Sequence, residues 1–208
     1  MSKFTVTITR EFGSGGRTIG KMLAERLGIP YYDNELIKLA SEESGINEAL
    51  FSEADESRRT ALFKKYNRSF GDKLISPESG EFTSDDNLFN YQAKIIKQLA
   101  DSETCVIVGR CADHVLRDHE NVLRVFTHAS MPFCIQKVRE IYGVSQKEAT
   151  KQIERINRAR ATYYRYYTGN EWDNARNYDL CLNTEELGFE RCVDIIEHYI
   201  NLLYRKDN

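Results

Sequence analysis

The sequence lacks the features that mark several large classes of protein. It contains no apolar run long enough to cross a bilayer and no signal-peptide pattern, so we expect a cytoplasmic protein with no membrane partner. Its formal net charge of −3 argues against a general nucleic-acid binder. The five cysteines are odd in number and lack C-x-x-C spacing, and the four histidines form no H-E-x-x-H pair, so neither a disulfide framework nor a zinc site is predicted. A chain of 208 residues suits one domain with an insertion.

A glycine-rich segment near the N-terminus is the most informative part of the chain. The alternating run from Phe4 to Thr9 predicts a strand, and the apolar spacing from Ile19 to Leu27 predicts a helix. Between them lie the residues Gly13, Ser14, Gly15, Gly16, Arg17 and Thr18. A strand, a glycine turn and a helix aim backbone N–H groups and a positive helix end at one point. The segment therefore predicts a phosphate-binding loop.

This segment departs from the usual P-loop pattern, G-x-x-x-x-G-K-[ST], at two positions. Glu11 stands where the first glycine belongs, and Arg17 stands where lysine belongs. Arg17 keeps the positive charge and can bind phosphate as a planar fork. The Glu11 carboxylate would repel a polyphosphate unless it turns outward or pairs with Arg10 or Arg17. On the loop alone, a glycine turn without a ligand is an alternative.

Strand patterns recur between helical patterns along the rest of the chain. Further strands are predicted at residues 29–32, 105–108, 122–126 and 180–182. Helices are predicted over residues 88–99 and 135–142, from a capping box at Ser145 toward Tyr167, and over 190–204, where Val193, Ile196, Ile200 and Leu203 are expected to be buried. Strands that alternate with helices indicate a parallel sheet flanked by helices.

Residues 34–68 and 69–87 interrupt this alternation. The first stretch is charged and predicted to be mostly helical, and the second carries turn formers typical of a mobile loop. Together they predict an insertion that could hold a second substrate. An exposed helical hairpin and loop without a ligand is the alternative reading.

Arginines mark two further candidate regions. Arg110 follows the apolar run 105–108, and ligands of parallel sheets bind beyond the carboxyl ends of strands. The segment 155–165 interleaves four arginines with tyrosines. Arginine suits bidentate phosphate contacts, although the same composition also suits a platform for single-stranded nucleic acid or a solvated helix face.

With these residues in order, the chain resembles the cytidylate kinase-like family, a branch of the P-loop nucleoside monophosphate kinases. The resemblance rests on residues 9–20, on Asp33 after Tyr32, on Val108-Gly109-Arg110, on residues 160–172 and on residues 178–184. It implies one three-layer α/β P-loop domain over residues 1–208, with a nucleotide-acceptor insertion and its following helix at 34–101 and an arginine-rich lid at 155–176.

The resemblance also implies a reaction and a set of site residues. The reaction would be transfer of the γ-phosphoryl group of ATP to CMP or dCMP with Mg²⁺, without a nucleic-acid partner. Gly13, Ser14, Gly15, Gly16 and Arg17 would hold the donor phosphates, Thr18 would help to hold Mg²⁺, Asp33 and Arg110 would bind the acceptor, and Arg160 with Arg158 would neutralise the transferring group.

Three departures leave the acceptor open. Cytidylate kinases have an aspartate at the position of Val108 and another at the position of Asn157, and no apolar run here ends in a Walker-B-like aspartate. A kinase of another small molecule and a nucleotide-binding module with little turnover are the alternatives. The sequence makes no prediction of the oligomeric state.

Overall fold

The structure, a computed structural model, describes residues 3–56 and 70–204. The expectations for residues 57–69 lie outside these ranges. Five parallel strands form one sheet: β1 Thr5–Arg10, β2 Tyr31–Tyr32, β3 Cys105–Val108, β4 Val122–His128 and β5 Leu180–Asn183. Their order across the sheet is β2-β3-β1-β4-β5, which puts the strand before the phosphate loop at the centre. In this register Ile8 of β1 is opposite both Val108 and Val125.

The helices lie on both faces of the sheet. They are α1 Gly16–Leu27, α2 Glu35–Ser44, α3 Glu48–Glu56, α4 Asp85–Ser102, α5 Ala112–Val115, α6 Met131–Tyr142, α7 Gln146–Thr168, α8 Thr184–Leu187 and α9 Phe189–Tyr204. Within residues 3–56 and 70–204, no helix combines the length and apolar character that crossing a bilayer requires.

Successive residues of β3 serve two separate cores, because side chains along a strand alternate between its faces. Val106 and Val108 pack with α1 and α9, whereas Cys105 and Ile107 pack with the helices α2 to α5 and the end of α7. This is the three-layer α/β arrangement that the sequence predicts. The cysteines are free thiols, and all but Cys181 are buried.

Several local predictions are confirmed and others are wrong. The capping box at Ser145 is present, with Glu148 reciprocating at the first turn of α7. Residues 85–87 belong to α4 rather than to a loop, because Ser84 caps that helix by accepting from the amide of Asn87. Leu203 is 52% exposed. In the last turn of α9 the inward position after Ile200 is taken by Tyr204, whose ring stacks on Phe4, so Leu203 lies on the outer face.

Candidate active site

A cavity of about 560 Å³ opens where β1 and β3 end. Helices α2 and α3 supply one wall, and α7 supplies the other. Its charged lining residues are Arg10, Arg17, Arg110, Arg155, Arg160 and Glu48. Burial lowers the pKa of three of these guanidinium groups, those of Arg10, Arg110 and Arg160, because each is desolvated and lies near other arginines. The cavity therefore favours an anionic ligand.

The glycine loop turns sharply into α1. Gly15 precedes the helix in the left-handed conformation, with φ of 84°, and no side chain caps the helix start among the described residues. The amides of this first turn, including those of Gly16, Arg17 and Thr18, are therefore left for a ligand. The Ser14 hydroxyl instead braces the loop, donating to the Glu11 carbonyl at 3.0 Å and lying 3.0 Å from the hydroxyl of Thr127.

Glu11 turns outward from the loop. Its carboxylate accepts a hydrogen bond from the Ala129 amide at 3.3 Å, and burial raises its pKa. The amide of Phe12 donates to the Asn157 side chain at 2.8 Å, so the loop is tied to α7. The sequence left two ways for Glu11 to avoid repelling a polyphosphate, an outward orientation or a pair with Arg10 or Arg17. The structure has the outward orientation.

Arg17 leans across the cavity toward the end of β2. Its Nε lies 2.5 Å from Oδ2 of Asp33, and its Nη2 donates to the Asn34 side chain at 3.3 Å. Asp33 is buried, with a side-chain exposure of 7%, whereas the Arg17 side chain is 51% exposed. The predicted donor residue and the predicted acceptor residue are therefore paired with each other.

Arg110 occupies an unusual backbone position. Gly109, Arg110 and Cys111 have φ values of 80°, 59° and 53°, three successive left-handed residues. Such a conformation costs a non-glycine residue about 1–2 kcal/mol. Strain of this kind concentrates at functional sites. The turn places Arg110 in the cavity wall between β3 and α5, as the sequence predicts.

Helix α7 brings Arg160 to the same cavity but not Arg158. Arg160 Nη1 donates to the Arg10 carbonyl at 2.9 Å, and its guanidinium lies 5.7 Å from the centre of the Phe12 ring. Arg158 is exposed and does not line the cavity. Residues two positions apart in a helix point roughly 200° away from each other around its axis. The side chains of Arg158 and Arg160 could therefore not face one ligand.

The tyrosines of α7 anchor the helix to α4 and α5, and their rings are not exposed to solvent as a binding surface. Tyr164 Oη donates to Asp113 Oδ2 at 2.6 Å, and Tyr167 Oη donates to the Asp85 carbonyl at 3.1 Å. Both tyrosines are buried, and Tyr163 and Tyr166 are partly buried. The tyrosines at the end of α7 are therefore packed against the core and form no exposed stacking platform. Beyond Thr168, most of the predicted lid is exposed, with Trp172 buried.

Sequence reasoning missed three residues that shape the site. Arg10 ends β1, and the same strand-end argument that selects Arg110 would have found it. Arg155 shares the cavity face of α7 with Ala159 and Tyr163, a helical spacing visible in the sequence. Asp113 is buried beneath the cavity, where Thr9 and Tyr164 donate to it, and burial raises its pKa. No sequence pattern pairs it with a tyrosine 51 residues away.

The residues present fit a nucleotide phosphate better than a protein-bound metal cluster. The uncapped start of α1 and the convergent arginines suit an anion. Across the described ranges, no group of three or more histidine, cysteine, aspartate or glutamate side chains could hold a metal ion. Thr18 is exposed in the first turn of α1. A magnesium ion held mainly by phosphates and water, with one hydroxyl, is compatible with this site, because Mg²⁺ retains several waters.

Comparison with known proteins agrees with this geometry. The cytidylate kinase-like family matches residues 5–186. A cytidylate kinase of Methanosarcina barkeri (strain Fusaro / DSM 804) is 25% identical over 200 residues, covering 95% of this chain and 97% of the relative. A cytidylate kinase of Thermotoga neapolitana (strain ATCC 49049 / DSM 4359 / NBRC 107923 / NS-E) is 26% identical over 170 residues, with coverages of 73% and 76%.

Solved structures show the same fold. An uncharacterized protein from Eubacterium ventriosum ATCC 27560 superposes with a TM-score of 0.71 at 26% identity, covering 96% of this chain and 99% of that one. A shikimate kinase from Bacteroides thetaiotaomicron has a TM-score of 0.55 at 16% identity, with coverages of 96% and 99%, a likeness of fold alone. With a P-loop kinase fold and a family match that spans most of its length, this chain belongs to the cytidylate kinase-like family.

Proposed function

We propose that the protein transfers the γ-phosphoryl group of ATP to a small phosphorylated acceptor, most simply a nucleoside monophosphate. The observation that carries the proposal is the convergence of five arginines on one cavity beside an uncapped, glycine-led helix start. Family membership and the cytidylate kinase relatives support CMP or dCMP as the first acceptors to test. A cytoplasmic location and the lack of a nucleic-acid partner remain predictions from the sequence.

The position of each residue around the cavity suggests its role in the reaction. The amides of residues 13–18 would hold the donor phosphates, and the Thr18 hydroxyl would help to hold Mg²⁺, which when bound neutralises phosphate charge. Arg110 would hold the acceptor phosphate. Arg160 reaches the cavity from α7, close to both strand ends, and would stabilise negative charge on the transferring group.

Phosphoryl transfer needs aligned reactants and a fixed positive environment rather than covalent chemistry from the protein. This site supplies both. The strand ends and the loop fix the arginines of the floor, and the bonds from Asn157 and Arg160 hold α7 against them. Burial of the guanidinium groups strengthens their effect on a bound anion, because water screens them less.

The direct test is ADP formation by purified protein given Mg-ATP and a panel of nucleoside monophosphates. We expect turnover with one member of the panel and a fall in kcat of about 10²–10³-fold in Arg160→Ala, the usual effect of losing one transition-state donor. Arg165→Ala is the matched control, since Arg165 lies on the same helix, is exposed and pairs with Glu171 instead of facing the cavity.

A nucleotide-binding module with little turnover is the competing function. The observation in its favour is the ion pair between Arg17 and Asp33, which engages the loop arginine with a carboxylate of the protein instead of a donor phosphate. Tight ATP binding without ADP formation across the whole panel would favour that function and refute the kinase.

A further inference from the structure

The floor of the cavity contains a buried ion pair that is not hydrogen-bonded. Arg10 ends β1 and Asp33 follows β2, with side-chain exposures of 14% and 7%. Arg10 Nη2 lies 3.7 Å from Asp33 Oδ1, beyond hydrogen-bond distance. Among the residues that the structure describes, Arg10 Nε and Asp33 Oδ1 are both buried without a hydrogen-bond partner. The Nε–H group, on the side of the guanidinium that Nη2 shares, therefore has no acceptor there.

Asp33 is engaged much more closely by the loop. Its other oxygen, Oδ2, lies 2.5 Å from Arg17 Nε. One carboxylate thus stands between two guanidinium groups, bound tightly to Arg17 and loosely to Arg10. Arg10 also lies near Arg110 and Arg17, whose charges help burial to lower its pKa to about 10. At neutral pH Arg10 remains a buried cation with too little counter-charge.

Unsatisfied buried donors are rare in folded proteins and destabilise them. The Nε–Nη2 edge of arginine is matched by the two oxygens of a phosphate or carboxylate, which accept from it in parallel. Arg10 lines the cavity, on the side where β1 and β3 end beside α2 and α3. An oxyanion entering from the cavity would supply the missing partner.

We infer that Arg10 binds a phosphate of the acceptor through its Nε–Nη2 edge, and that Asp33 is the internal counter-ion which this phosphate replaces. That the bound molecule is the phosphoryl acceptor rests on the proposed function, whereas the anion site does not. Asp33 then offsets part of the positive charge of the empty site and is not itself a ligand of the acceptor. The consequence for specificity is a preference for a phosphate monoester dianion, since its two negative charges can offset both Arg10 and Arg17, which share the Asp33 carboxylate.

Substitutions of Arg10 and Asp33 should change phosphate affinity in opposite directions, and this tests the assignment. We would titrate the full-length protein calorimetrically, without ATP, using inorganic phosphate and CMP as probes. Arg10→Lys keeps the charge but loses the fork, and should weaken both probes about tenfold, the effect of losing one charged hydrogen bond. Asp33→Asn removes the competing anion and should tighten phosphate binding severalfold. Arg26→Lys is the control, because Arg26 makes its ion pairs with Glu190 and Asp194 on α9.

Each result decides the inference. Weaker binding in Asp33→Asn would make Asp33 a ligand of the acceptor and overturn it. Unchanged affinity in Arg10→Lys, or no binding of either probe to the wild-type protein, would also overturn it. Should Arg10→Lys fail to fold, Asp33→Asn alone still gives the decisive sign. Phosphate binding with the expected shifts but no ADP formation would uphold the anion site while refuting the kinase.

Discussion

Gly109→Ala should disturb the candidate site far more than it disturbs the fold. A Cβ at residue 109 would lie 2.1 Å from Nη1 of Arg10 and 3.0 Å from its Cζ. That separation is about 1.3 Å short of an ordinary van der Waals contact, so the guanidinium must move. Because Gly109 has φ of 80°, alanine there also adds backbone strain of about 1–2 kcal/mol.

Gly143→Ala separates these two effects. Gly143 ends α6 with φ of 66°, and a Cβ there would meet nothing within 4 Å. It therefore shares the strain of Gly109 but not the crowding. For a chain of this size we expect both variants to lower Tm by roughly 2–8 °C. Only Gly109→Ala should weaken phosphate binding, by about tenfold, the effect of losing one charged hydrogen bond.

Urea unfolding and phosphate titration of the two variants check this reasoning. Equal losses of stability, combined with wild-type phosphate affinity in both variants, would show that the position of Arg10 over Gly109 has no part in binding. A larger stability loss in Gly109→Ala with unchanged affinity would give Arg10 a purely structural role.

Other perturbations test the remaining assignments. Arg17→Ala should weaken ATP binding by about ten- to a hundredfold, more than Arg17→Lys, and equal affinity in the alanine variant would refute its donor role. Arg110→Ala should raise the acceptor KM or lower kcat while ATP affinity stays nearly unchanged; the reverse pattern would reassign it to the donor. Burial beside Arg117 lowers the pKa of His114 to about 4, below its unfolded value near 6.5, so the unfolded state binds the proton first and stability should fall as pH drops from about 6.5 to 4. His114→Gln should flatten that dependence in urea midpoints, and an unchanged slope would contradict it. Hydrogen exchange over residues 155–172 should show the stretch from Tyr164 protected without ligand, and the preceding turns protected only with a bisubstrate analogue; full protection throughout the empty protein would exclude a lid.

The sequence predicted those parts of the fold that local patterns determine. The β3 run Cys105–Val108 was apolar enough to identify a doubly buried strand, and the capping box at Ser145 located the start of α7. The sequence predicted less well which residues at the end of α9 are exposed. Leu203 and Tyr204 both continue the apolar spacing of that helix, three and four residues after Ile200, and periodicity alone did not show that Tyr204 would take the inward position.

The site was predictable wherever a residue is placed by the end of a strand. Arg110 and the loop belong to this group. Arg10, the last residue of β1, could have been predicted by the same argument. The pair between Asp33 and Arg17 could not be read from the sequence, because it depends on how far a flexible side chain reaches across the cavity. Arg158 was separable from Arg160 by helical geometry alone, and its predicted role has no contact in the cavity to support it.

The anchoring of α7 has a consequence for how the two halves of the site communicate. Along one helix, Asn157 binds the Phe12 amide of the loop, Arg160 binds the Arg10 carbonyl at the end of β1, and Tyr164 binds Asp113 of α5. A shift of this helix therefore displaces the donor loop and the acceptor floor together. Thermodynamic linkage then requires that occupancy of either half change the affinity of the other by the same factor. Helix α7 thus couples the donor and acceptor sites through the protein, in addition to the direct contact between the two ligands that phosphoryl transfer requires.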